Sequence, residues 1–187
     1  IDNTPLADIQ VTAFLSDSTY YSTSYTQTNS QGNYQLYLTR PGEYIVEFYD
    51  TSQSFHRQYY NNVITREMAI PLQVITGSAL SNINAILAPM ASISGTIAMF
   101  NGVAPSVVYV SLYKADGSYW EKLDYMYLTH YQKSSALNYW FKGLNAGIYR
   151  VSAELVYASD DFAEFYNDQP TLDSATNITL SAGVAIT

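Results

Sequence analysis

The sequence predicts an all-β protein made of two tandem β-sandwich domains, and three observations favour this fold class. The 187 residues include 19 tyrosines, whereas only 13% are charged. Tyrosine is typical of strands, and surface helices need the lysine and glutamate that this chain lacks. Many short segments alternate apolar and polar residues with a period of two, as half-buried strands do. In addition, one set of motifs occurs twice along the chain.

The repeat keeps a constant offset through a turn and the strand that follows it. Gly42 corresponds to Gly147 and Tyr44 to Tyr149, both at an offset of 105. Residues 59–62 match 165–168 at an offset of 106, and residues 9–14 match 108–113 at an offset of 99. The second copy therefore has a longer loop between residues 113 and 139. We predict domains at residues 1–89 and 90–187, which superpose on each other.

The strands follow from the alternating apolar rows. The rows expected to face a core are Ile9, Val11 and Ala13; Tyr44, Val46 and Phe48; Leu72 and Val74; Ile83, Ala85 and Leu87; Ile93, Gly95, Ile97 and Met99; Val108, Val110 and Leu112; and Ile178 and Leu180. Glycine-containing turns at Gly32-Asn33, Pro41-Gly42, Asn101-Gly102 and Ala146-Gly147 separate them. Short strands divided by frequent turns predict a β-sandwich.

Several of these segments carry motifs of a known type. Residues 141–151 read F-K-G-L-N-A-G-I-Y-R-V, and residues 93–97 read I-S-G-T-I. Residues 82–87 read N-I-N-A-I-L. These strings resemble the repeat modules of the carboxypeptidase regulatory-like and Cna B-type families. The resemblance covers nearly the whole chain and implies two transthyretin-like, Ig-like sandwiches of seven strands. It also implies an extracellular or cell-surface location on a microbial protein, where such modules serve as stalks, spacers and adhesin parts.

One covalent crosslink known from these families can be checked against the lysines of this sequence. Some Cna B-type domains form a Lys–Asn isopeptide bond between their first and last strands. The four lysines, Lys114, Lys122, Lys133 and Lys142, all lie in the second unit, and the expected opening strand at residues 92–99 has none. We therefore expect no isopeptide bond in the first unit and do not favour one in the second.

The same comparison of repeats makes the chain ends informative. The second unit opens with a strand at residues 92–99, but residues 1–5 already match the turn that follows such a strand. The first unit closes with residues 82–87, whereas Thr187 matches Ser81. We expect each unit to lack one strand, which leaves an unpaired edge. Either neighbouring repeats supply those strands covalently, or copies of the chain complement one another by strand addition near residues 1–11 and 178–187.

Composition excludes several classes of function. The net charge of −8 and the pI near 4.4 disfavour binding to nucleic acid. No apolar run is long enough to span a membrane, and the absence of cysteine excludes thiol chemistry. The two histidines, His56 and His130, have no nucleophile motif nearby, so we predict solvated loop histidines and no enzyme.

No cofactor is expected either. The acidic residues Asp160, Asp161, Glu164, Asp168 and Asp173 offer the oxygen ligands that calcium takes, but they lack EF-hand spacing. A solvated loop is the preferred interpretation, with calcium as the alternative. Asn177 begins the one N-x-[ST] sequon, whose glycosylation the sequence does not decide.

Tyrosines supply the most specific candidate surface. Tyr119, Tyr125, Tyr127 and Tyr131 share one parity around Trp120, so in a strand they would line one face. Such a face can anchor a protein interface or stack on sugar rings. We predict packing or an interface. The functional prediction is a non-catalytic structural module of a microbial surface protein or filament, and the alternative is a carbohydrate- or ligand-binding adhesin module.

Overall fold

The structure is a computed structural model that describes residues 4–17, 22–98, 107–129, 136–156 and 161–187. Within these ranges it is all-β, with antiparallel sheets, one short 3-10 turn at Arg66–Met68 and no α-helix. The predicted fold class is therefore confirmed. The chain divides into two compact units, Ile1–Pro89 and Met90–Thr187, which are described separately here as unit one and unit two. That each folds independently stays a prediction.

Unit one contains one principal sheet. Its strands are β1 (Gln10–Leu15), β2 (Ser22–Gln27), β3 (Gly42–Tyr49), β4 (Gln58–Tyr59) and β5 (Leu72–Val74). The order is β2-β1-β3-β4, and β5 pairs with the beginning of β3. Because Val11 and Ala13 alternate with polar residues on β1, they bury completely on the inner face.

Unit two contains the corresponding sheet and a second one. Its strands are β6 (Ala91–Ala98), β7 (Val107–Asp116), β8 (Tyr119–Thr129), β9 (Ala136–Leu144), β10 (Gly147–Val156), β11 (Asp161–Phe165), β12 (Ile178–Leu180) and β13 (Ala185–Ile186). The first sheet has the order β11-β10-β7-β8, with β12 beside β10. The second has the order β13-β6-β9, in which β13 runs parallel to β6 and β9 antiparallel.

Hydrogen-bond register reproduces the sequence repeat. Tyr44 lies opposite Leu15 and Leu72, and Tyr149 lies opposite Lys114 and Ile178. These partners differ by the offsets of 99 and 106 that the sequence alignment requires. The strand pairs β1–β3 and β7–β10 are therefore equivalent residue by residue.

The turn after β4 repeats in the same way. Asn61 and Asn62 have φ values of 69° and 59°, and Asn167 and Asp168 have φ values of 65° and 57°. Asparagine and aspartate tolerate this left-handed conformation better than other non-glycine residues. Their presence at both turns explains why this motif recurs in the sequence.

Each unit has its own core. In unit two, Ile93 from β6, Tyr139 and Phe141 from β9 and Val110 from β7 belong to one buried cluster, so the two sheets enclose it between them. In unit one, Ile9, Val11, Val46, Phe48 and Leu87 form the buried cluster. The inward rows predicted for β1, β3 and β7 are thus confirmed.

The prediction that Leu72 and Val74 are buried was wrong. Leu180 and Ile178 are buried in unit two, but their counterparts Val74 and Leu72 are only half-buried in unit one. Both border the groove described below. The prediction assumed that the same neighbouring strand covers both pairs, and in the described part of unit one no strand does so.

The predicted closing strand of unit one is also absent as a strand. Ile83 and Ala85 pack against the core and Leu87 is buried, so the alternation was right. Residues 83–87 nevertheless join no sheet. Side-chain and backbone bonds fix them instead: the Tyr34 hydroxyl donates to the Ile83 carbonyl at 2.7 Å, and the Ile86 N–H donates to Asn62 Oδ1 at 2.8 Å.

The expected opening strand of unit two is present as β6. Its residues Ile93 and Ile97 face the core, while Met99 and the turn at Asn101-Gly102 lie outside the described residues. None of the helices in the described ranges is long and apolar enough to cross a membrane.

Candidate functional site

The predicted tyrosine surface lies on β8, the edge strand of the first sheet of unit two. Tyr125 and Tyr127 are 59% and 54% exposed. Tyr109 of β7 stands beside them, with ring centroids 6.5 Å and 5.3 Å away, respectively. We call Tyr109, Tyr125 and Tyr127 the tyrosine face. The rings are tilted by 48° and 59°, so they pack against one another and do not form a flat platform.

Tyr119 does not share this face, contrary to the parity argument. The pairing between β7 and β8 shifts from Leu112–Asp124 to Tyr113–Lys122, so Leu123 is an extra residue. Such a bulge reverses the alternation along the strand. Tyr119 therefore points to the opposite side, where its hydroxyl donates to the Asp116 carboxylate. Tyr131 lies outside the described residues.

Trp120 has an intramolecular partner. The Arg150 guanidinium lies 4.0 Å from the centre of its ring, at cation–π distance. Arg150 also donates to Asn177 Oδ1 at 2.8 Å and to the carbonyl oxygens of Leu172 and Asp173. Trp120 is thus part of a contact that fixes the loop before β12, and one of its ring faces is occupied. Sequence reasoning missed Arg150, whose pairing depends on the fold.

The tyrosine face has a counterpart in unit one. Tyr25 on β2 lies opposite Thr12, and Tyr125 on β8 lies opposite Ser111, so the two tyrosines are equivalent. Thr12 and Ser111 are both buried, and Tyr25 is 72% exposed. Tyr20 and Tyr21, which precede this strand, lie outside the described residues.

The face of the unit-one sheet that carries Tyr25 also buries a carboxylate, because Glu47 pairs with Thr12 from the other side. Glu47 is 8% exposed; its Oε2 accepts the Tyr59 hydroxyl at 3.0 Å and lies 3.6 Å from Arg57. Burial and the Glu47 charge together raise the pKa of Tyr59. Arg57 also stacks 4.5 Å above the Tyr49 ring. This arrangement holds β4 against β3 and satisfies the buried charge.

His56 has no catalytic neighbour in the part of the chain that the structure describes. His56 donates its backbone N–H to the Ala88 carbonyl at 2.8 Å, and no described side chain hydrogen-bonds to its imidazole. His130 lies outside the described ranges. The assignment as a non-enzyme stays a prediction.

The acidic stretch is partly described. Burial and the neighbouring Asp168 carboxyl raise the pKa of Glu164. Across the described ranges, no three His, Asp or Glu side chains are grouped as metal ligands would be. Asp160 lies outside these ranges, and the geometry of the described residues does not favour the calcium alternative.

A groove of about 700 Å³ opens in unit one. One wall is residues 32–41 and the other is residues 74–84, and Ala13, Tyr44, Val46 and Leu72 form the floor. Large apolar side chains stand at its rim: Tyr37 is 73% exposed, Ile75 63% and Leu80 48%. Exposed apolar surface around a concavity is typical of a binding site.

Unit two has a strand at the position equivalent to this groove. Its residues equivalent to the two walls are β9 and β13, and β6 lies between them and pairs with both. In unit one, residues 33–38 match β9 in sequence yet form no strand, because no described strand stands beside them. The groove therefore has the position that β6 occupies in unit two. We call it the acceptor groove.

The second wall of the acceptor groove matches β13 in detail. A turn precedes each: Ser78 donates its backbone N–H to the Ile75 carbonyl, and Val184 donates to the Ser181 carbonyl, both at 3.1 Å. Gly77 and Gly183 have φ values of 76° and 74°, which glycine adopts without strain. Ala79 and Leu80 accordingly correspond to Ala185 and Ile186.

Comparison with protein-family models, curated proteins and solved structures found no match for this chain. The likeness to carboxypeptidase regulatory-like and Cna B-type modules therefore rests on the sequence motifs and stays a prediction. The acceptor groove and the tyrosine face are the two features of the described residues that bear on function.

Proposed function

We propose that this chain is a non-catalytic structural module of an extracellular microbial surface protein or filament, which assembles through β-strand edges and tyrosine-rich surfaces. The acceptor groove carries the proposal. It combines an open strand position with exposed apolar side chains at Tyr37, Ile75 and Leu80. Main-chain bonds along such an edge give affinity, and side-chain pockets give specificity.

The tandem repeat supports the same proposal. Two equivalent sheets in one chain are typical of arrays in which each unit is a mechanical element and contacts its neighbours. Strand addition between units with different partners generates an open chain of subunits when the rotation does not close. The tyrosine face supplies a second contact surface, since exposed tyrosines are enriched at protein interfaces.

The direct test is the size of the native particle. The natural protein should sediment as an assembly larger than one chain, and a charge placed in the acceptor groove should reduce that size. Leu80→Asp introduces the charge at a side chain that lines the groove and is already 48% exposed. Ile64→Asp is the matched control, because Ile64 is 68% exposed and does not line it.

The two variants separate the outcomes. We expect Leu80→Asp to dissociate the particle and Ile64→Asp to leave it intact, with unchanged unfolding curves for both. A natural protein that sediments as a single chain, or equal effects of the two substitutions, would overturn the proposed function.

A carbohydrate-binding adhesin module is the second candidate. The exposure of Tyr125 and Tyr127 favours it, because an exposed ring can stack on a sugar. The tilt between the rings and the Arg150 contact on Trp120 count against it. If Tyr125→Ala with Tyr127→Ala abolishes retention on immobilised polysaccharide while assembly persists, the adhesin function replaces the structural one.

A further inference from the structure

We propose that the acceptor groove is specific for an uncharged strand with the pattern apolar-x-Gly-x-apolar, supplied by another polypeptide chain. The inference rests on the proposed function and adds to it the chemistry and register of the partner. Its template is β6, whose central residues are Ile93, Gly95 and Ile97. That strand shows which side chains the equivalent position accepts.

The register follows from the pairs that β6 makes. Ile93 lies opposite Phe141 and Gly95 opposite Tyr139. The repeat places Leu36 where Phe141 stands and Tyr34 where Tyr139 stands. A strand entering the groove antiparallel to residues 33–38 would set its first apolar residue beside Leu36 and its glycine beside Tyr34.

The glycine is required because a tyrosine ring covers that position. A Cβ built on Gly95 would lie 2.6 Å from the Tyr139 hydroxyl oxygen and 2.7 Å from Cζ. Tyr34 is held still more firmly, since its hydroxyl bonds to the Ile83 carbonyl at 2.7 Å and its ring contacts Phe48 edge-on at 5.9 Å. Any side chain on the entering residue would have to displace that ring.

The second wall of the acceptor groove would pair with the entering strand in a parallel direction. In unit two, Ala185 and Ile186 pair with Ser92 and Ile93, and Ile186 packs against the core. Their counterparts Ala79 and Leu80 line the groove, and Leu80 is 48% exposed. A strand between the two walls would cover Leu80 as β6 covers Ile186.

Charge decides which strands can enter. Among the described residues that line the groove, Arg40 alone is charged. Away from Arg40, a charged side chain would be desolvated there without a partner, at a substantial cost. A strand such as β6, which has the sequence A-S-I-S-G-T-I-A, avoids this cost.

The occupant is assigned to another chain because β6 of the same molecule is engaged. It pairs with β9 along one edge and with β13 along the other. Residues 83–87 are also held in place, by Tyr34 and Asn62. Because β6 of a second copy is engaged in the same way, the occupant is a strand of this pattern that is not already paired within its own chain.

The test uses a fluorescently labelled peptide with the sequence of Ala91–Ala98 and the full natural protein. Because a neighbouring chain would fill the groove in an assembly, we expect excess peptide to displace it: the anisotropy should rise to saturation while the sedimenting particle becomes smaller. Replacing the glycine of the peptide by valine should weaken binding about tenfold or more, since overpacking against a fixed ring is unfavourable. A serine-to-threonine peptide is the control and should bind as the parent does, because the serines alternate with the core-facing residues.

Variants of the protein locate the site. Leu80→Asp should abolish the anisotropy change, and Ile64→Asp should preserve it. The inference is overturned if the natural protein does not bind the peptide, which is the result expected if its own polypeptide fills the groove. It is also overturned if the valine peptide binds as well as the parent peptide. Its failure and that of the proposed function are distinguishable. Selective peptide binding by a protein that sediments as a single chain retains the strand specificity and refutes assembly. Assembly without peptide binding refutes the strand specificity and retains the proposed assembly.

Discussion

Tyr44 and Tyr149 make the same hydrogen bond in the two units. The Tyr44 hydroxyl donates to the Arg40 carbonyl at 2.9 Å, and the Tyr149 hydroxyl donates to the Asn145 carbonyl at 2.8 Å. Both tyrosines are only 1% exposed. Each bond ties the turn before a central strand to that strand, four residues along the chain. This shared bond is the strongest structural sign that the two units are copies of one design.

The bond should contribute equally to both units. Tyr44→Phe and Tyr149→Phe remove the hydroxyl and keep the buried ring, so each should lower the free energy of unfolding by about 1 kcal/mol. Urea denaturation measures the change. Tyr25→Phe, at an exposed position, is the control and should leave the unfolding curve unchanged. A large loss in one unit only would contradict the equivalence.

Gly95→Ala should destabilise unit two by about 1–3 kcal/mol, the usual cost of overpacking. Its added methyl group meets the tip of the Tyr139 ring. Because the hydroxyl oxygen is the nearest atom, Tyr139→Phe should recover part of the loss in a double-mutant cycle. Additive effects in that cycle would show that the ring is not the obstacle.

Equivalent core positions should differ in their energetic weight. Leu180→Ala should cost about 2–5 kcal/mol, as truncation of a buried leucine does. Leu72→Ala, next to the acceptor groove, should cost less, because Leu72 is only half-buried and loses fewer contacts. Denaturant unfolding of the two variants compares them, and equal losses would argue that the groove is closed in solution.

Stability should fall steeply in alkali. Burial raises the pKa of Tyr34 from 10.0 to about 12, and burial also raises the pKa values of Tyr139 and Tyr149. The folded chain therefore retains protons that the unfolded chain releases. This contribution is complete below about pH 10 and is lost as the pH rises towards about 12. Tyr34→Phe should flatten the decline in unfolding free energy across this range.

Local patterns predicted the parts of the fold that depend on one strand and its core. The rows on β1, β3 and β7 were confirmed because a two-residue period determines which side chains face inward. The offset between Tyr44 and Tyr149 likewise reproduced the register. The predicted burial of Leu72 was wrong because it depends on what covers the acceptor groove, which an alternating pattern within one strand does not determine.

The candidate site was harder to predict, for a similar reason. Parity grouped Tyr119 with Tyr125, but one extra residue at Leu123 reverses the alternation, and no residue type announces a bulge there. The contact between Trp120 and Arg150 joins two strands that are distant in sequence. Burial of Glu47 could not be predicted either, because it depends on Tyr59 and Arg57, which belong to another segment.

The bulge at Leu123 affects the tendency of the protein to aggregate. It lies midway along an edge strand, with Glu121, Lys122 and Asp124 beside it. Distorted, charged edges resist indiscriminate pairing, which is how natural sheets avoid amyloid-like stacking. Straightening β8 by deleting Leu123 would remove that protection, and the chain should then aggregate through this edge.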